Sequence, residues 1–248
     1  MIKCDPDTGA CLLPNQDSSA DSAAVVSHEG LAVRYIGDPM CSWCWGISPS
    51  VAAVEDFCES EGIEFSVTMG GLRVGGGEPW SERFKTFLRN EWQKINQATG
   101  QPFGYTLLEV PQFDYDTEPA CRAVATVKLL QVKNSLPQSI ILKFFSAIQH
   151  KFYVEGQDPK ITDFYASICR YLTLDFDEFS ALFDSSEALQ SVQQEFIRCR
   201  QWGVRSFPTL LLERHGKWVL LAEGYATAEQ LLSLLRKEVL AESGTRKP

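Results

Sequence analysis

The chain switches between two hydrophobic periods, and the switches divide it. Residues 31–37 (LAVRYIG) form a short apolar run closed by Asp38-Pro39, which predicts a buried strand ending in a turn. From about Ser42 the apolar spacing becomes helical, with Val51, Val54, Phe57 and Cys58 on one stripe. Residues 63–69 alternate strictly, the mark of a half-buried strand, so the opening reads β-α-β. The glycine-rich stretch that follows (Gly70-Gly71, Gly75-Gly76-Gly77) lacks the Gly-Lys-Ser/Thr of a phosphate loop and reads as a linker.

Helical periods then take over. Residues 79–97 predict one helix. Thr117 caps a second carrying Ala123, Val124, Val127 and Leu130, and Pro137 opens a third carrying Ile140, Ile141, Phe144, Phe145 and Ile148. Thr162 begins a fourth with Phe164, Ile168 and Leu172, and shorter helices run on to Trp202. Strand character returns at residues 207–213 and 218–223, around a turn at His215-Gly216. Thr227-Ala228-Glu229-Gln230 is a capping box for a last helix with Leu231, Leu232, Leu234 and Leu235. The order β-α-β, helical block, β-β-α describes an α/β domain (31–72 and 203–241) interrupted by a helical domain (73–202). Residues 1–30, rich in Ser, Ala and Asp with little periodicity, read as a mobile tail.

Composition narrows the function. The net charge of -9 disfavours nucleic acid and anionic membrane as partners, and no apolar run approaches the ~18 residues of a membrane span. Asp5 and Asp7 interrupt the place where a signal peptide needs an apolar stretch, so a cytoplasmic location is expected. There the eight cysteines are expected to be mostly thiols, and a spaced pair points to redox catalysis or metal.

The sharpest motif is Cys41-Ser42-Trp43-Cys44, at a strand-to-helix turn. Two intervening residues let both sulfurs face each other across the first helical turn. The first sulfur meets unpaired N–H groups and the positive end of the helix dipole, which favours thiolate below the free value of ~8.5. Cys41 is then the nucleophile and Cys44 the group that resolves the mixed disulfide. Pro49, eight residues after Cys41, should kink this helix, and Pro208 sits where a central strand would lose a ladder donor.

The segment Phe207-Pro208-Thr209-Leu210-Leu211-Leu212 with Gly216, Gly224 and Glu229-Gln230-Leu231 resembles the carboxy-terminal half of thioredoxin, as Pro49 resembles its kink proline. The long separation of Cys41 from Pro208 is similar to the DsbA-like branch of that fold. Residues 38–46 (DPMCSWCWG), with Gly70-Gly71-Leu72 and Phe152 to Gly156 with Asp158, resemble its cytoplasmic FrnE-like subgroup of predicted disulfide isomerases. The resemblance implies dithiol–disulfide exchange on protein or peptide substrates, with no bound cofactor or metal and with glutathione or a thioredoxin-type reductant as electron source. It also implies a cis Phe207-Pro208 bond beside the sulfurs, with Ser42, Trp43, Phe207 and Pro208 meeting the substrate. Two departures matter. Tyr35 stands where thioredoxin and DsbA carry a buried acid, leaving Asp38 as a substitute proton acceptor or simply a turn former. Ser42-Trp43 also lacks histidine, which places the expected potential toward the reducing end of the ~-270 to -120 mV span.

Other cysteines divide into two sets. Cys58, Cys121, Cys169 and Cys199 fall on helical patterns and read as small buried hydrophobes, Cys121, beside Pro119 and Arg122, being the one to check in the structure. Cys4 and Cys11 read either as inert tail thiols or as a second redox pair, with a zinc site shared with Cys41 and Cys44 a further reading that Pro208 would crowd. His28, His150 and His215 form no serine–histidine–acid set. Two other functions share the architecture: a kappa-like glutathione transferase or isomerase, which uses serine at the place of Cys41, and a redox-linked chaperone.

Overall fold

A computed structural model describes residues 4–5, 8–12, 31–214 and 216–245. Two short strands, β1 (Cys4–Asp5) and β2 (Ala10–Leu12), come first, followed by β3 (Leu31–Gly37). Helices α1 (Ser42–Gly46) and α2 (Ser48–Glu61) carry the chain to β4 (Glu64–Met69). After the helical block come β5 (Ser206–Phe207), β6 (Thr209–Arg214), β7 (Lys217–Glu223) and α9 (Ala228–Thr245).

The main sheet runs β4-β3-β6-β7, with β3 parallel to β4 and every other pair antiparallel. The inner strand β3 buries Val33, Tyr35 and Ile36, as expected of a strand covered on both faces. Helix α9 packs on α2, opened by the capping box: Thr227 N–H donates to Gln230 Oε1 (2.9 Å) and Gln230 N–H to Thr227 Oγ1 (3.3 Å).

Six helices lie between β4 and β5: α3 (Glu82–Thr99), α4 (Glu118–Lys133), α5 (Ile140–Tyr153), α6 (Ala166–Tyr171), α7 (Phe176–Phe183) and α8 (Ser186–Gln201). Helix α4 is buried almost all round, by α5, α7, α8 and β4, while α3 and α5 brace α1. One hydrophobic core therefore runs through both parts of the fold. Among the described residues no helix is long and apolar enough to cross a membrane.

Several elements differ from the expectation. Helix α3 starts at Glu82 rather than at Pro79, because the Ser81 hydroxyl accepts from Phe84 N–H (3.3 Å) and fixes the cap there. The Thr117 side chain does not cap α4; its Oγ1 accepts from Arg73 N–H (3.1 Å), tying the helix start to the loop after β4. The expected strand over 207–213 is split by Pro208, which has no N–H for the ladder.

The largest correction concerns residues 1–30, expected to be a tail. Residues 4–5 and 10–12 pair as β1 and β2, and β2 adds onto β5 to make a second, three-stranded sheet. The turn between them is held by Asp5, whose Oδ1 accepts from Thr8 N–H (3.1 Å) and whose carbonyl accepts from Gly9 N–H (3.0 Å). Alternation over so few residues carries no periodic signal, which is why the sequence reading missed it. Residues 13–30, with His28, and His215 lie outside the described residues.

Candidate active site

The turn that presents the cysteines is built on Asp38. Its Oδ1 accepts from Met40 N–H (2.8 Å), its Oδ2 from Leu72 N–H (2.7 Å) and from the Cys121 thiol (3.3 Å), and its carbonyl from Cys41 N–H (3.0 Å). Burial raises this carboxyl's pKa, while the bonds from Leu72, Thr117 and Met40 pull it back. Both oxygens thus hold the turn, the role of turn former that the sequence allowed for Asp38. Cys121, by the same bond, helps hold the turn.

Cys41 is the N-cap of α1, its backbone extended (φ -89, ψ 118) and its carbonyl accepting from Trp45 N–H (3.1 Å). The helix breaks at Ile47, and Pro49 explains how. Having no N–H, Pro49 leaves the Trp45 carbonyl four residues back without its helical donor. Ser48 Oγ (2.8 Å) and Gln101 Nε2 (3.1 Å) donate to that carbonyl instead. The kink is therefore satisfied by α2 itself and by the segment after α3.

The Cys41 sulfur meets the residue before Pro208. The Phe207-Pro208 peptide is cis, and the Cys41 thiol donates to the Phe207 carbonyl at 3.7 Å. Cys41 and Cys44 are both thiols and both fully buried. Burial pushes the Cys41 pKa well up, a hydrogen bond with the Cys11 thiol pushes it further, and donation from the thiol and backbone N–H of Cys44 pulls it down. The Cys44 pKa is raised by burial and then by its bond to Cys41. The pair is thus ordered, with Cys41 the better placed to carry charge. The expected activation of Cys41 by the helix start is overridden here, because in this closed arrangement no water reaches the sulfur.

Tyr35 aims its hydroxyl at the Cys44 sulfur and lowers that thiol's pKa. Its contact falls short of ordinary hydrogen-bond geometry, and the hydroxyl has no other partner among the described residues.

Among the residues expected to meet substrate, Ser42, Trp43, Phe207 and Pro208 are all gathered around Cys41, and all are buried. The Phe207 ring packs over Gly70, leaving its backbone as the part a strand can pair with. That backbone is already taken: in register, Cys11 lies across from Phe207 and Leu12 from Ser206. Trp43 faces Tyr225 (6.0 Å between rings) and Gly9, while Trp45 belongs to the core, stacked on Tyr153 with its Nε1 donating to the Pro102 carbonyl (2.9 Å). Tyr225 and Gly9, which meet Gly224 at this seat, carry no local signal in the sequence.

Of the second pair, Cys11 is at the site, and Cys4 is across from Cys11 in the β1–β2 register. Cys58, Cys169 and Cys199 are buried, each pushed up to about 12 by burial, as inert thiols are. His150 is on an exposed face of α5 with its Nδ1 3.4 Å from Glu155. Among the described residues no three His, Cys, Asp or Glu side chains converge as metal ligands do.

No protein-family model matches the chain, and no curated protein matches its sequence. Solved structures do. A candidate protein disulfide isomerase from Nitrosomonas europaea is 31% identical with a TM-score of 0.73, the alignment covering 86% of this chain and 99% of that one. The cytosolic disulfide reductase DsbM from Pseudomonas aeruginosa is 24% identical with a TM-score of 0.66, covering 85% and 99%. DsbM with glutathione aligns at 24% identity and a TM-score of 0.64, covering 84% and 98%. The two DsbM structures show a shared fold.

Proposed function

This chain belongs to the DsbA-like family of thioredoxin-fold thiol–disulfide oxidoreductases, and from that premise we propose that it reduces or isomerises disulfides of protein or peptide substrates through Cys41 and Cys44. The observation that carries the reading is the meeting of Cys41, Cys44 and the Phe207 carbonyl at the start of α1. Once water reaches Cys41, the helix start and the two Cys44 donors favour its thiolate, which attacks a substrate sulfur and expels the other half as thiolate. Cys44 then loses its proton beside Tyr35, attacks the Cys41 sulfur and frees the second half. A substrate strand pairs with β5 during this exchange, so β2 has to leave that edge first.

The chain carries no resident cofactor in this reading; glutathione or a thioredoxin-type reductant returns the electrons. The glutathione in one DsbM structure and the cytosolic description of DsbM support a low-mass thiol and a cytoplasmic setting. The test is reduction of insulin disulfides with glutathione as electron source. Turnover should vanish in Cys41→Ser, and in Cys44→Ala Cys41 should be held as a mixed disulfide. Turnover that survives Cys41→Ser overturns the reading.

A further inference from the structure

The geometry points to the β1–β2 hairpin as an internal exchange partner of the active site: Cys11, held in register with Phe207, exchanges disulfides with Cys41, and Cys4, across the hairpin from Cys11, resolves the bond. This rests on the reading of Cys41 and Cys44 as the redox pair and deepens it.

Three observations converge. First, β2 occupies the edge of β5, the edge next to the Cys41 sulfur, and its cysteine falls on the residue whose carbonyl receives the Cys41 thiol. A shift by one residue would turn Cys11 to the opposite face. Second, the seat is specific. Gly9 (φ +65) lies against Trp43, where a Cβ would come within 2.9 Å of the ring, and Thr8 accepts from Tyr225 N–H at 3.0 Å. A Cβ on Gly224 would lie 2.0 Å from that same Thr8 oxygen. Third, Cys11 is 1% and Cys41 0% exposed, so the docked hairpin excludes other thiols and disulfides from Cys41 while presenting one of its own. Directly opposed residues of an antiparallel pair have Cα atoms ~4.5–5.5 Å apart, within the span a disulfide takes, so the Cys4–Cys11 register suits bond formation.

The exchange balances without an added oxidant. It starts from the Cys41–Cys44 disulfide left by reduction of a substrate. Cys11 gives up its proton and attacks the Cys41 sulfur; the Cys41–Cys44 bond breaks, and Cys44 leaves as thiolate and takes up a proton. Cys4 gives up its proton and attacks the Cys11 sulfur; the Cys11–Cys41 bond breaks, and Cys41 leaves as thiolate. Two electrons have moved from the hairpin to the active site, which is again a dithiol. The Cys4–Cys11 disulfide is then reduced by two molecules of a low-mass thiol, glutathione in the test below, which leave as their own disulfide.

The test uses the full chain. The double variant Cys4→Ser/Cys44→Ser is treated with oxidised glutathione and mapped as non-reduced peptides, expecting a Cys11–Cys41 disulfide as the main product. Cys4→Ser, oxidised in the same way, should also hold part of the chain as Cys11–Cys41. In the wild type, Cys4–Cys11 disulfide should form about ten-fold faster than in Cys41→Ser, since the route through the active site is lost. If Cys41 of the double variant carries only glutathione, with Cys11 still a thiol, the hairpin is a plug and the inference falls while the reading of Cys41 stands. If Cys41 takes up neither Cys11 nor glutathione, both fall.

Discussion

The Tyr35 hydroxyl stands over the Cys44 sulfur. A phenol is not charged at neutral pH, and burial pushes this one well above its ordinary value, so it acts by donating toward the Cys44 thiolate as it forms. Tyr35→Phe removes that donor and raises the Cys44 pKa. Resolution of the mixed disulfide should slow roughly 2- to 10-fold, the worth of one hydrogen bond of ~0.5–1.5 kcal/mol. Attack by Cys41 should keep its rate. Quenched-flow mass spectrometry of the glutathione adduct on Cys41 separates the two steps, and a slowed first step would remove this role from Tyr35.

Gly70 and Phe207 fix the back of the same site. A Cβ on Gly70 would lie 1.9 Å from the Phe207 ring, so Gly70→Ala forces the ring, and with it the β5 backbone, to move. Overpacking of this kind costs about 1–3 kcal/mol. Urea unfolding should show a lowered midpoint, and insulin reduction should fall by more than the loss of folded protein explains. A variant of wild-type stability and activity would mean that Phe207 has another place to go.

Those two contacts show what the sequence could and could not convey. The two halves of the α/β domain were legible because Val51, Val54 and Cys58 repeat at helical spacing and residues 63–69 alternate. Cys41, Cys44 and Pro208 were legible because their spacing is a local signature. The seat of the hairpin was not, since it depends on Gly9, Gly224 and Tyr225 meeting from distant segments, and strands of two and three residues show no period. The Cys41 environment was misread for the same reason: the helix start was visible in the motif, whereas the strand that covers it was not.

Docking of that strand should be weakened by one methyl group. Gly9→Ala places a side chain at φ +65 and within 2.9 Å of the Trp43 ring. A left-handed residue costs ~1–2 kcal/mol before the clash is counted, which shifts the docked population by roughly 5- to 30-fold. Iodoacetamide should therefore modify Cys41 at pH 7.5 faster in this variant by about that factor, with Cys58 and Cys199 still protected. Equal rates in the two proteins would show that Gly9 does not hold the hairpin down.

The buried thiols also predict how stability changes with alkali. Cys41, Cys44 and Cys121 are held well above their ordinary values by burial, and Cys58, Cys169 and Cys199 are pushed up to about 12. Unfolded thiols ionise near ~8.5, so above that pH the folded chain holds more protons than the unfolded one. The contribution is complete below ~8.5 and is lost as pH climbs toward the folded values, at no more than ~1.4 kcal/mol per thiol per pH unit. The buried tyrosines Tyr35, Tyr153 and Tyr165 act in the same direction from ~10 upward. With reductant present, the melting temperature should hold steady from pH 7 to 8.5 and fall by more than ~10 °C by pH 10. Replacing Cys58, Cys169 and Cys199 together by alanine should flatten that decline. A melting temperature that stays level to pH 10 in the wild type would mean that these sulfurs meet water in the folded chain.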